Sequence, residues 1–331
     1  FYLPQFHEIP ENNKWWGKGF TEWTNIKKCR PLFTGHNQPL IPDNYYNLLD
    51  PKVLLNQSNL AKNYGIDGFC IYHYWFNGKK LLEKPAEILL KNKNIDISYF
   101  FSWANEPWTR SWDGKNKTIL INQDYGNEED WLTHISYLKL FFKDHRYKKI
   151  GNKPLICIYK PSRIINLEEM LMLWNREVKK MGFSGIHIIN TLRNQNDDKR
   201  YNLFDASLQF EPTFTQYGKE NLIIRFGKAI KGKLNKNYIN IYDNEEVYMR
   251  SLNSLPRNKR NTYNGGFSSW DNSPRRTNKA TIFKNFSLKS FESYIDKKFK
   301  ISIEEYNSDL FFFNAWNEWA EGAFLEPDSK Y

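Results

Sequence analysis

The sequence predicts a single (β/α)8 barrel with long loops after its strands, on three observations. Eight short apolar runs of strand length recur along 331 residues, and longer amphipathic stretches separate several of them. No glycine-rich phosphate loop follows the first run, which weighs against a doubly wound open sheet. A barrel of this length is one domain, so residues 1–331 are expected to form a single unit.

The eight runs are residues 1–6, 68–75, 97–103, 154–160, 186–190, 206–210, 266–270 and 310–316. Runs such as Phe69-Cys70-Ile71-Tyr72 are apolar on both faces, as strands buried in a parallel sheet are. Between the first two, Asp50 caps a helix that has Pro51 at its first position, and Gly65 ends the stretch. Residues 127–144 carry Trp131, Ile135, Leu138 and Phe142 at helical spacing. Residues 166–182 repeat the pattern with Leu167, Met170, Leu171, Trp174 and Val178.

Residues 219–250 form a long basic stretch between the sixth and seventh strands. In it, Leu222-Ile223-Ile224-Arg225-Phe226 leads into Lys228, Lys231 and Lys233. It reads as an outer barrel helix, with peripheral contact to a membrane or lipid-linked glycan as the alternative.

Composition narrows the function. Aromatic residues make up 17% of the chain. Such rings fill cores, and their faces also stack on the apolar faces of sugars. A net charge of +11 fits nucleic acid, an anionic membrane or an acidic glycan. No helix-turn-helix, zinc-finger or RNA-recognition pattern is present, so no nucleic-acid partner is expected. Metal-binding and Walker motifs are absent from the sequence, and neither metal nor cofactor is expected. Cys29, Cys70 and Cys157 are an odd count, with Cys70 and Cys157 inside apolar runs, which suggests buried thiols in a reducing compartment. A cytoplasmic location is the expectation, with the periplasm open, because the chain starts at Phe1 within a strand-like run.

Chemistry concentrates at the last run. Glycosyl transfer needs a proton donor at the leaving oxygen and a second group that supports the oxocarbenium-like centre. Glu318 and Glu321, in Trp316-Asn317-Glu318-Trp319-Ala320-Glu321-Gly322, stand where barrel active sites lie and are the expected catalytic pair. An offset of three residues puts them on opposite faces of a strand, so the pair converges only if the chain turns near Asn317.

Glu106, in Trp103-Ala104-Asn105-Glu106-Pro107-Trp108, ends the third strand and reads as a supporting carboxylate. The remaining expected substrate contacts are Trp103, Asn105, Tyr2, Gln5, His73, Tyr74, Glu211, Trp270, Asn317 and Trp319, all at or near strand ends. Each alone is weak, since a lone histidine beside a strand is usually a hydrogen-bonded core residue. Together they would ring one mouth of a barrel. Asp271 and Arg275 follow the seventh strand in the same way. Trp15-Trp16-Gly17 and Gly19-Phe20-Thr21-Glu22-Trp23 lie in the long first loop, as a cleft wall or a packed Ω-loop.

Four motifs in order resemble one known family. Phe1-Tyr2-Leu3-Pro4-Gln5-Phe6-His7, Gly19-Phe20-Thr21-Glu22-Trp23, the Glu106 motif and the Glu318/Glu321 motif look like the WbsX family. Its members bear the name of glycosyltransferases of O-antigen or capsule loci and are also described as glycoside hydrolase family 99-like. Similarity to family 99, the endo-α-mannosidases and endo-mannanases, is more distant. It rests on Asn317-Glu318-Trp319, Glu321-Gly322 and Glu326-Pro327, and that family's middle acidic motif is not matched by Asn105-Glu106-Pro107.

This resemblance implies a barrel and a retaining mechanism without a glycosyl-enzyme ester. Glu318 would assist the sugar 2-hydroxyl as internal nucleophile through a 1,2-anhydro intermediate, and Glu321 would be general acid, then base. The expected function is a retaining hydrolase or transglycosylase acting on a bacterial surface polysaccharide. A glycosyltransferase that builds such a glycan is the second reading, and a non-catalytic glycan-binding barrel the third.

Overall fold

A computed structural model describes residues 1–110, 115–194, 200–218, 239–255 and 261–330. The basic stretch Leu222-Ile223-Ile224-Arg225-Phe226, with Lys228, Lys231 and Lys233, lies outside the described residues.

The chain folds as a (β/α)8 barrel whose parallel strands neighbour one another in sequence order. These are β1 (Gly68–Phe76), β2 (Ser98–Trp103), β3 (Lys153–Ile158), β4 (His187–Leu192), β5 (Ala206–Gln209), β6 (Thr262–Phe267) and β7 (Phe311–Asn314). Sequential parallel pairing requires a crossover after every strand, and helices supply most of these. The main ones are α1 (Pro51–Asn63), α2 (Lys84–Lys91), α3 (Glu128–Phe142), α4 (Leu167–Lys179), α5 (Asn244–Leu252) and α6 (Leu288–Tyr306).

Residues 1–3 stand between the two ends of this series. Tyr2 bridges Ile71 in parallel, with Tyr2 N–H donating to the Cys70 carbonyl at 2.9 Å. On the other side the Phe1 amine donates to the Phe313 carbonyl, and Trp316 N–H donates to the Phe1 carbonyl. The expected first strand, residues 1–6, is thus a single bridge. Pro4 has no N–H for a ladder, and Leu3 N–H goes to the Asn317 side chain at 2.8 Å.

The seventh expected strand, 266–270, instead runs Thr262–Phe267. Its glycines are interior, not punctuation. A Cβ on Gly265 would come 2.2 Å from the Gln209 carbonyl oxygen, so the β5–β6 approach depends on having none.

The helices begin where the sequence expects. Asp50 accepts from Lys52 N–H ahead of α1, and Asn127 accepts from Glu129 and Asp130 N–H ahead of α3. The apolar stripes of α3 and α4 are buried, including Trp131, Ile135, Leu138, Met170 and Trp174. Each such side chain contributes roughly 1.5–3 kcal/mol by leaving water.

Aromatic rings fill the barrel interior. Phe1 stacks on Tyr72 at 5.7 Å and meets Phe210 edge-on at 5.0 Å, while Phe312 packs against Phe1 and Phe100. Much of the aromatic excess is therefore core. The three cysteines are buried and free.

Candidate active site

The turn required near Asn317 is present. Asn317–Glu318 pairs antiparallel with Ala323–Phe324, and the 3-10 turn Trp319–Glu321 joins them. Gly322 closes it at φ 62°, and a Cβ there would sit 2.9 Å from the Asp271 nitrogen, so both conformation and space call for glycine.

Two anchors fix this hairpin over the barrel mouth. Asn317 accepts from Leu3 N–H at 2.8 Å and donates to the Leu3 carbonyl at 3.0 Å. Asp271 N–H donates to the Glu321 carbonyl at 2.7 Å, which ties the turn to the loop after β6.

That loop carries Arg275, in the short helix Ser273–Arg276. Its guanidinium meets three carboxylates at 2.9 Å each. Nη2 donates to Glu318, Nη1 pairs with Glu321, and Nε donates to Glu22. Gln5 reaches Glu318 from the first segment at 3.5 Å. Glu22 is fully buried, and its second oxygen, Oε2, has no hydrogen-bond partner among the described residues.

One cation facing three carboxylates leaves two negative charges uncompensated if all three ionise. Burial is the largest influence on Glu318 and pushes its carboxyl well above the usual range. Arg275 opposes that push, while repulsion from Glu321 and Glu22 adds to it. Arg275 itself is buried, which disfavours its charge, but the three carboxylates outweigh burial and hold it firmly protonated. The cluster thus holds a carboxyl whose proton affinity is set by burial and by its charged neighbours, the kind of perturbation that marks acid–base sites.

Glu318 and Glu321 line a cavity of about 510 Å³, together with Gln5, Tyr74, Glu106 and Trp270. Tyr72, Tyr159 and Phe210, the upper rings of the barrel interior, give it an aromatic floor. A larger cavity, about 860 Å³, is lined by Leu60 and Tyr64, by Leu288 and Phe291, and by Gly322, Phe324 and Glu326 of the hairpin region, but by neither Glu318 nor Glu321.

Six of the expected site residues thus share one cavity. The others do not line it. Tyr2 donates to Gln57 at 2.7 Å within the core. His73 is buried against His134, ring nitrogens 2.9 Å apart, and burial lowers its pKa to about 3. Trp103 packs edge-on against His134. Asn105 holds the Lys160 backbone through both its amide atoms, bracing the end of β3. Glu211 accepts from Thr215 and Ser251 beside the buried Lys298. Asn317 and Trp319 shape the hairpin, with Trp319 stacked on Phe324 at 3.9 Å.

Glu106, by contrast, faces the cavity, ion-paired with Lys160 and 3.9 Å from Arg193. The sequence reading missed the joint role of Arg275 and Glu22. The only local signal was arginine after a strand, in Ser273-Pro274-Arg275-Arg276, and nothing local pairs it with a residue 253 positions away.

All 331 residues match the family model described as Glycosyltransferase WbsX. The chain belongs to the WbsX family. Proteins similar to the chain include the uncharacterized protein WxcX of two strains of Xanthomonas campestris pv. campestris, each 34% identical over 335 residues. The chain spans about half the length (47%) of these curated relatives and is itself fully covered.

Among solved structures, the GH99 endo-α-mannosidase from Bacteroides thetaiotaomicron is similar at TM-score 0.55 and 13% identity, covering 99% of this chain and 86% of its own. A glycoside hydrolase-like protein is similar at TM-score 0.56 and 13% identity, covering 88% and 82%. At that identity the likeness is one of fold.

Proposed function

We propose that the protein is a retaining glycoside hydrolase or transglycosylase of family 99-like type, acting on a bacterial surface polysaccharide. The observation that carries this reading is the joint hold of Arg275 on Glu318 and Glu321 in the lining of a cleft with an aromatic floor. Glu321, the more open of the two, protonates the departing glycosidic oxygen. Glu318 takes the proton of the sugar 2-hydroxyl, whose oxygen closes on the anomeric carbon as the leaving group departs. A carboxyl with a raised pKa is the stronger base once ionised. Water or an acceptor hydroxyl then opens the 1,2-anhydro ring, with Glu321 taking its proton and Glu318 returning one to the 2-oxygen. Two inversions at the anomeric carbon give retention.

The experiment is release of reducing ends from α-mannosides and O-antigen polysaccharides by wild type, Glu318→Gln and Glu321→Gln. Activity in wild type and a fall of about a thousandfold in both variants is the expected result. A second reading follows the family's name: transfer from a nucleotide- or lipid-linked donor without hydrolysis. Sugar transfer by a wild type that releases no reducing ends would replace the first reading with the second.

A further inference from the structure

The cleft holds more positive charge than its catalytic carboxylates use. Its lining includes four cations, Arg193, Arg275, Arg276 and Lys279, and three acids, Glu106, Glu318 and Glu321. Arg275 is taken by Glu318 and Glu321, with Glu22 behind it. Glu106 is taken by Lys160 and faces Arg193, whose guanidinium also lies over the Tyr159 ring. Arg276 and Lys279 stand outside both of these groupings, and neither side chain has an ion-pair partner among the described residues.

Both belong to one structured turn. Ser273–Arg276 leads directly into Thr277–Lys279, and Asn272 braces the turn by accepting from Thr281 N–H at 2.8 Å. Arg276 is half-buried, Lys279 is exposed, and no described carboxylate pairs with either. The arrangement is one a bound anion would complete, because guanidinium and ammonium groups grip carboxylate and phosphate oxygens with charge-assisted hydrogen bonds.

We propose that Arg276 and Lys279 form an anion-binding subsite beside Glu318 and Glu321, and that the substrate is an acidic glycan carrying a carboxylate or phosphate on a unit next to the cleaved one. This rests on the glycosidase reading of the same cleft and names its substrate class. The subsite selects the charged unit, and the carboxylate pair acts on the adjoining bond.

The test is calorimetric titration of the full chain with uronate oligosaccharides, phosphorylated oligomannosides and neutral oligomannosides of equal length. At least one anionic probe is expected to bind about tenfold more tightly than the neutral one. That ratio falls to near one in Arg276→Gln/Lys279→Gln and survives in Lys179→Gln/Lys297→Gln, which removes two exposed charges outside the cleft. If the double variant does not fold, Lys279→Gln alone, at an exposed position, is expected to lower the ratio by a smaller factor. Which anionic probe wins tells carboxylate from phosphate.

Equal affinity for neutral and anionic probes overturns the proposal, as does an equal loss in the distant-lysine variant, which would mark non-specific attraction to a basic protein. Binding of a nucleotide diphosphate sugar that depends on Arg276 and Lys279, with no preference among glycans, also overturns it. A wild type that keeps the ratio but releases no reducing ends from any probe would sink the hydrolase reading and leave the subsite standing.

Discussion

Two carboxylate clusters lie within a few residues of each other in sequence and are built on opposite terms. Glu318 and Glu321 share one cation with Glu22 and line the cleft. Glu326 is as buried as Glu318 but draws four neutral donors. Trp319 and Trp316 indoles, Tyr46 hydroxyl and Gln57 amide reach it at 2.6, 3.1, 2.8 and 2.6 Å. Burial pushes Glu326 up to about 7, against the pull of those four hydrogen bonds. The difference separates two uses of a buried acid. Where four fixed donors converge, the carboxyl knits together segments distant in sequence. Where one arginine serves three acids, charge is left unbalanced beside a cleft.

The sharpest way to break this comparison is Arg275→Met. Removing the partner of buried carboxylates is expected to cost about 3–5 kcal/mol of stability. It also removes the main influence holding Glu318 down, so the acid limb of the pH–rate profile moves to higher pH. A profile that stays in place would mean that Arg275 does not set the proton affinity of the pair. Arg275→Lys should recover part of the stability and little of the profile, since an ammonium cannot span three carboxylates.

Glu326→Ala is the counterpart. It leaves four donors without their acceptor, and the expected loss is about 3 kcal/mol by urea denaturation, with the pH–rate profile unmoved. A shifted profile would join the two clusters into one functional unit.

A smaller effect comes from titrating Glu326 itself. Its folded pKa is raised, so the folded state keeps a proton that the unfolded chain has already released. Stability from this group is full below the unfolded value and is lost as pH rises through about 7. Between pH of about 5.5 and 7.5 the expected decline is about 2 kcal/mol. It should vanish in Glu326→Gln, and an unchanged slope there would assign the titration to another group.

How far the sequence revealed these clusters follows from how each is assembled. Strand positions were legible where apolar runs are continuous, as in Phe69-Cys70-Ile71-Tyr72. They were blurred where Gly265 and Gly266 serve a close approach, or where Pro4 interrupts a ladder. Glu318 and Glu321 stood out because their turn is local: Asn317, Trp319 and Gly322 are all within reach of one short motif. Glu22 and Arg275 did not, because their pairing spans 253 residues and exists only once the first loop folds over the mouth. The Glu326 cluster was hidden for the same reason, with Tyr46 and Gln57 separated from it by 280 and 269 residues.

The mildest test asks whether the Glu326 cluster behaves as a sum of bonds or as a unit. Tyr46→Phe keeps the ring against Phe6 and Trp23 and removes one donor of four, together with an acceptor that Asn317 reaches at 3.4 Å. Asn317 retains both bonds to Leu3, so the expected loss is about 1 kcal/mol, without change in the cleft. Trp319→Phe, which removes another donor, supplies the second arm of a double-mutant cycle. If the two losses add, each donor acts independently on Glu326. If the double variant loses no more than one single variant, the four donors hold the hairpin cooperatively. A disturbance at Tyr46 would then be felt at Glu318 through Asn317, the residue both clusters share.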